Sequence, residues 1–193
     1  MKENLRQILK SILKRLAILT LWRYRPGIIG VTGSVGKTST KLAIAAVLKD
    51  DRKIRFSKGN FNNEIGLPLT ILGDWDEVKG VFFWLEVFLK SFFQILGPRI
   101  KNYPELLILE YAADKPGDIK YLLTIARPNV SLITAVGEIP VHVEFYAGPE
   151  EVAREKGKLI EYLPSAGFAI LNHDDETVMN LKDRTRAHLM TFG

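Results

Sequence analysis

The stretch Gly30-Val31-Thr32-Gly33-Ser34-Val35-Gly36-Lys37-Thr38-Ser39-Thr40 decides the fold. A short β-branched run, Ile28 to Val31, precedes it, and a helical run, Lys41 to Lys49, follows. Strand, glycine loop and helix in that order make a phosphate cradle. Gly33 and Gly36 let the backbone turn tightly and aim its N–H groups at phosphate oxygens, and the helix adds the positive end of its dipole. In this reading Lys37 supplies a point charge to the outer phosphates and the Thr38 hydroxyl a ligand to Mg²⁺. The alternative is a structural glycine turn that happens to carry a lysine.

Working outward, a strand reads at Lys53–Ser57, then a polar loop from Lys58 to Gly66 that contains Asn60, Asn62 and Asn63, then a short helix at Leu67–Leu72. The asparagines suit turn chemistry, and equally suit amide recognition of a polar ligand. Val81–Leu96 is apolar on nearly all sides, with Glu86, Lys90 and Gln94 as a thin polar stripe. Such a helix is either buried in a core or touching something apolar outside it. Strands at Glu105–Tyr111, Asn129–Val136, Phe168–Asn172 and His188–Phe192 alternate with helices at Pro116–Ala126 and Pro149–Leu163. Asp174 is the expected N-cap of a further helix reaching about Arg184. Alternation of this kind predicts an α/β fold: a mostly parallel sheet with helices on both faces, ligands binding beyond the carboxyl ends of its strands.

Three groups stand at those ends. Glu110 closes the apolar run Leu106–Leu109 and suits a Mg²⁺ ligand, or else a plain edge residue. His142 and Glu144 lie in an irregular stretch after the strand ending near Val136. Lys156 sits among Arg154, Glu155 and Lys158, and by charge pattern alone is one member of a solvated helix face.

A chain of 193 residues suffices for one α/β domain with a full core. Cysteine is absent, which removes disulfides and thiolate chemistry and is compatible with a reducing cytoplasm. The net charge of +5 is unevenly placed. Residues 1–26 hold seven basic residues and one acidic, while the rest is close to neutral, so no nucleic-acid face is indicated. Leu5, Ile8, Leu9, Ile12, Leu13 and Leu16 recur at helical spacing, and Lys2, Arg6, Lys10 and Lys14 at every fourth position. Residues 1–26 therefore read as a basic amphipathic helix. Its charges recur too often for a membrane span. Two roles are open for it: lying on an anionic membrane surface, or packing on protein.

The loop departs from G-x-x-x-x-G-K-S/T, because Val31 stands where the first glycine belongs. The form G-x-T-G-x-x-G-K-T-S resembles the variant loop of the Mur ligase and folylpolyglutamate synthase superfamily. Gly59-Asn60-Phe61-Asn62-Asn63-Glu64-Ile65-Gly66-Leu67-Pro68, Leu109-Glu110 with Pro116-Gly117-Asp118, His142-Val143-Glu144-Phe145, Ala153-Arg154-Glu155-Lys156-Gly157 and Leu171-Asn172-His173-Asp174-Asp175 follow in the order of the Mur ligase family. The chain from Gly27 onward, residues 27–193, resembles an incomplete central ATP-binding domain of that family. Within it, the asparagine loop is most similar to that of the ligases joining D-Ala-D-Ala to UDP-MurNAc-tripeptide.

The resemblance implies an ATP-dependent amide ligase of cytoplasmic peptidoglycan precursor synthesis, proceeding through an acyl phosphate, with ATP and Mg²⁺ as cofactors. It implies ATP binding by Thr32, Gly33, Ser34, Val35, Gly36, Lys37, Thr38, Ser39 and Asn172. Metal ligands would be Thr38, Glu110, His142 and a carbamylated Lys156, with Lys37, His142 and Lys156 as the catalytic groups. Asn60, Asn62 and Asn63 would face the substrate. Ala135 replaces a common asparagine, and Glu138-Ile139 stands as an insertion before the histidine motif. A UDP-binding domain, a later adenine-binding segment and an amino-acid-binding domain are expected to be missing, which raises a second hypothesis: a nucleotide-binding module or pseudoenzyme that needs a partner chain. A folylpolyglutamate-type ligase is a third, and the asparagine loop argues against it.

Overall fold

A computed structural model describes residues 2–59, 61–136 and 145–193. In chain order the elements are α1 (Lys2–Tyr24), β1 (Gly27–Thr32), α2 (Lys37–Leu48), β2 (Ile54–Phe56), α3 (Gly66–Leu72), α4 (Gly80–Leu96) and β3 (Leu106–Glu110). Then come α5 (Asp118–Leu123), β4 (Val130–Ile133), α6 (Pro149–Glu161), β5 (Phe168–Asn172), α7 (Glu176–Met179) and β6 (His188–Phe192). The strands form one sheet in the order β2-β3-β1-β4-β5-β6, every pairing parallel. The chain runs from β1 outward to β2 and β3 on one side, then crosses to β4 on the other. The carboxyl end of β1 therefore lies at the switch point, where open parallel sheets bind ligands.

Alternate residues of the strands feed two cores. Val31, Ile108 and Leu132 pack against Ala45 and Ile44 of α2 on one face. Ile28, Leu107 and Leu109 pack on the other, with Leu67 and Ile71 of α3, Ile119 and Leu122 of α5 and Leu159 of α6. Ala17 of α1 belongs to this second core, and Leu13 to a satellite cluster with Leu69, Leu72, Phe83 and Val87. The amino-terminal helix thus packs on the domain.

One expectation is corrected in detail. The helix after β5 is capped by Asp175, not Asp174: Asp175 Oδ1 accepts the Val178 N–H at 3.0 Å while Oδ2 accepts that of Val136 at 2.8 Å. Asp174 instead donates its own N–H to Asn172 Oδ1. Three basic residues of α1 also find partners on the domain. Lys10 Nζ lies 2.7 Å from Glu64, Arg6 3.4 Å from it, and Lys14 donates to Thr124 Oγ1 and sits over the Tyr121 ring. No helix among the described residues is long and apolar enough to cross a membrane.

Candidate active site

The loop after β1 is held open by the chain that leaves β4. Ser34 N donates to Ala135 O at 2.6 Å, and Val35 and Ala135 form an isolated antiparallel bridge. Thr134 Oγ1 sits beneath the loop, within reach of Val35 O at 2.5 Å and Thr32 O at 3.2 Å. Gly33 (φ +147°) passes so close that a Cβ there would stand 1.9 Å from that hydroxyl. Gly36 (φ +81°) makes the left-handed turn that starts α2. The result is a cradle of backbone N–H groups opening on the amino end of a twelve-residue helix. Ser34 Oγ is buried there without a hydrogen-bond partner.

Lys37 curls back over the cradle, donating to Gly33 O at 2.9 Å and Ser34 O at 3.1 Å. Burial lowers its pKa, opposed by the charges of Glu110 and Asp114. Glu110 closes β3 beside it and is only 3% exposed, not an edge residue, because β3 runs between β2 and β1. Its Oε2 accepts from Thr38 Oγ1 at 3.3 Å and from Lys41 Nζ at 3.1 Å, and its Oε1 from Asn62 Nδ2 at 3.1 Å. Loop lysine, hydroxyl, carboxylate and asparagine loop thus converge on one point.

The other residues singled out in the sequence divide. Thr32 is buried, its Oγ1 donating to Tyr111 O; Ser39 is exposed on the first turn of α2. Lys156 is no solvated surface lysine: it is 4% exposed, and burial first, then the Lys37 charge, lowers its pKa to about 8. Asn63 does turn chemistry, its Oδ1 accepting the N–H groups of Ile65 and Gly66 at the start of α3. Asn172 ends β5, two strands away from β1 at the same edge of the sheet. Asn60, His142 and Glu144, with the Glu138-Ile139 insertion, lie outside the described residues.

Sequence reasoning missed Lys41 and Asp114. Lys41 is one helical turn beyond Lys37 in an otherwise apolar run, and that spacing places it on the face of α2 that looks at the site. Asp114 acts on both Lys37 and Lys156 by charge, and it lines a cavity of about 320 Å³ together with Asn63, Glu64 and, from α1, Gln7 and Lys10. Among the described residues no three His, Cys, Asp or Glu side chains gather into a metal cage. One carboxylate and one hydroxyl beside a phosphate cradle fit the needs of Mg²⁺, which takes most of its ligands from phosphate and water.

Residues 31–87 and 94–193 match the Mur ligase middle domain. The chain belongs to the Mur ligase family. It is 34% identical over 175 residues to the UDP-N-acetylmuramoyl-tripeptide--D-alanyl-D-alanine ligase of Synechocystis sp., covering 89% of this chain and 32% of that one. Against the ligase of the same name from Bacillus subtilis it is 32% identical, covering 88% of this chain and 31% of the relative. MurF ligase from Thermotoga maritima, solved in complex with ADP, superposes with a TM-score of 0.73 at 32% identity, covering 95% of this chain and 36% of that one. The chain spans about a third of the length of the relatives it matches.

Proposed function

We propose that this Mur ligase family chain is the ATP-handling part of an amide ligase that joins D-Ala-D-Ala to UDP-MurNAc-tripeptide in the cytoplasm. The observation that carries the reading is the convergence of Lys37, Thr38 and Glu110 on a loop only glycine can form at position 33. The names of the relatives and the ADP complex of the Thermotoga enzyme support it. The site fits a nucleotide triphosphate: the cradle offers N–H groups and the unpartnered Ser34 hydroxyl, and Lys37 offers a cation now held by two carbonyls. Mg²⁺, when bound, would neutralise phosphate charge; Thr38, Glu110, Lys156 as a carbamate and His142 are the residues proposed to hold it. Asn62 orients Glu110, and Asn60 and Asn63 belong to the loop proposed to face the substrate.

In such a reaction a carboxylate oxygen of the tripeptide attacks the γ-phosphorus, ADP leaves, and the amine of the dipeptide then displaces phosphate from the acyl carbon. The chain's own contribution is positioning and charge. Lys37 leaves the loop carbonyls for the transferring phosphoryl oxygens, while the loop N–H groups fix the rest. Residues 1–26 are proposed to keep the domain at the inner, anionic leaflet. Calorimetric titration with Mg·ATP tests the core of the reading. Wild type should bind and Lys37→Ala should bind at least tenfold more weakly with an unchanged thermal unfolding profile; equal affinities would refute the site.

A further inference from the structure

Helix α4 is anchored on one side by Phe83, Val87, Ser91 and Gln94, all buried. Phe82, Leu85, Leu89, Phe92 and Leu96 follow the 3–4 spacing of a second stripe, and every one is exposed, Phe82 at 86%. At 3.6 residues per turn this stripe points directly away from the buried one. Helix α1 repeats the pattern. Leu5, Ile8, Ile12, Leu19 and Trp22 are exposed at the same spacing, Trp22 at 71%, with Arg15 the one charge among them.

The two helices are neighbours. Leu9 and Leu16 pack into the cluster that holds Phe83 and Val87, and Arg23, seven residues further, donates to Gly97 O just past α4. Leu9, Leu16 and Arg23 therefore mark the flank of α1 turned to α4. Leu5, Ile12 and Leu19 lie a fraction of a turn further round that flank, away from α5. Two adjacent helices thus each present an exposed apolar stripe, more than scattered exposed residues produce.

Charge says what covers them. Where both helices end, Trp22, Arg23, Arg25 and Arg99 line a single recess. None of these arginines has an ion-pair partner among the described residues. Arg23 and Arg99 donate only to backbone carbonyls, and Arg23 Nε is buried without a partner. The carboxylates before α4 are already matched, Asp74 and Asp76 by Lys58 and Glu77 by Lys79. Glu86 borders the stripe. A broad apolar face, an interfacial tryptophan and unpaired arginines beside it are the features of a surface that enters the headgroup region of an anionic bilayer.

We infer that the outer faces of α1 and α4 together dock on an anionic phospholipid bilayer, with Trp22, Arg23, Arg25 and Arg99 at the phosphates. This rests on the membrane placement proposed for residues 1–26 and deepens it: α4 becomes half of the surface, and Arg6, Lys10 and Lys14, which already have partners on the domain, are not its charges.

Co-sedimentation of the full chain with phosphatidylglycerol vesicles, against phosphatidylcholine vesicles, tests it. Wild type should sediment with the anionic vesicles at low salt, less so at high salt, and brominated lipid should quench its tryptophan fluorescence. Phe82→Asp/Phe92→Asp and Arg25→Glu/Arg99→Glu should each lower binding about tenfold or more, with Mg·ATP titration unchanged. Wild type left in the supernatant at low salt overturns the inference. Undiminished binding of the phenylalanine variant overturns the role of α4 and leaves only residues 1–26. No vesicle binding, with a dimer in light scattering that the phenylalanine variant dissolves, makes the face a contact between copies. Should the phenylalanine variant unfold early, wild-type quenching and the arginine variant decide.

Discussion

Lys41 Nζ lies 3.1 Å from Glu110 Oε2, and the two side chains are 1% and 3% exposed. The carboxylate that closes β3 takes a counter-charge from α2. Removing one member of a buried ion pair strands the other in a poor solvent, which costs about 3–5 kcal/mol. Lys41→Met should therefore destabilise the domain by about that much in urea titration. Lys41→Met/Glu110→Leu should cost clearly less than the two single variants summed, as coupled neighbours do. Additive losses would mean that the pair is not formed in solution.

Gly33→Ala tests the cradle through its floor. The added Cβ meets Thr134 Oγ1 at 1.9 Å and Ala135 O at 3.1 Å, in a backbone region that side chains rarely occupy. Loop and β4 exit must separate, at a cost of at least about 1–3 kcal/mol from the strained backbone alone. Mg·ATP binding should drop below detection in calorimetry while circular dichroism stays that of a folded α/β protein. Thr134→Ser keeps the hydroxyl and should bind normally; a weak Thr134→Ser variant would point to some other function of that side chain.

Helix α1 makes a separate prediction because Leu13 is fully buried against Leu69, Leu72, Phe83 and Val87. Leu→Ala at such a site costs about 2–5 kcal/mol. Leu13→Ala should lower the thermal unfolding midpoint of the chain, whereas Ile12→Ala, on the exposed side, should change it little. Equal, small effects would show that the helix is not docked.

Much of this was readable beforehand, for definite reasons. Strands β5 and β6 fall on the residues expected, since short apolar runs between turn signals leave a sharp pattern even where, as in β6, the strand ends up exposed at the sheet's edge. The cradle was legible from glycine spacing, because its geometry tolerates no other residue at Gly33. Lys41 and the burial of Lys156 were not, since each depends on which way a helix face points after the sheet has assembled. The same limit applies to α1: sequence showed two stripes, leucine and lysine, but not that the lysines would find partners in Glu64 and Thr124. Asn63 shows the limit of composition, as an amide that caps a helix and one that reads a ligand look alike in sequence. Asn62, one position earlier, reaches Glu110.

Lys156 gives the pH prediction. Its ammonium is 4% exposed, and burial together with the Lys37 charge lowers its pKa from 10.5 to about 8. In the unfolded chain the same lysine titrates at its ordinary value. Between about pH 8 and 10.5 the unfolded state therefore holds more protons than the folded one, and stability must rise with pH across that window. Below pH 8 the lysine is charged in both states, and the folded protein bears the full penalty of burying it. The whole swing has a ceiling of about 3 kcal/mol, at 1.36 kcal/mol per unit. Subtracting the pH–stability profile of Lys156→Met from that of wild type, both in bicarbonate-free buffer, isolates it from other titrating groups. The difference should favour the methionine variant at pH 7 and shrink steadily above pH 8. The same low pKa leaves about one Lys156 in ten as free amine at pH 7, the form that captures carbon dioxide as a carbamate. Isotopically labelled bicarbonate should thus give a carbamate resonance in wild type and none in Lys156→Met, and the added carbamate should remove the pH 8–10.5 rise. A flat difference profile without bicarbonate would mean that the lysine is solvated, and its proposed place at the metal would fall with it.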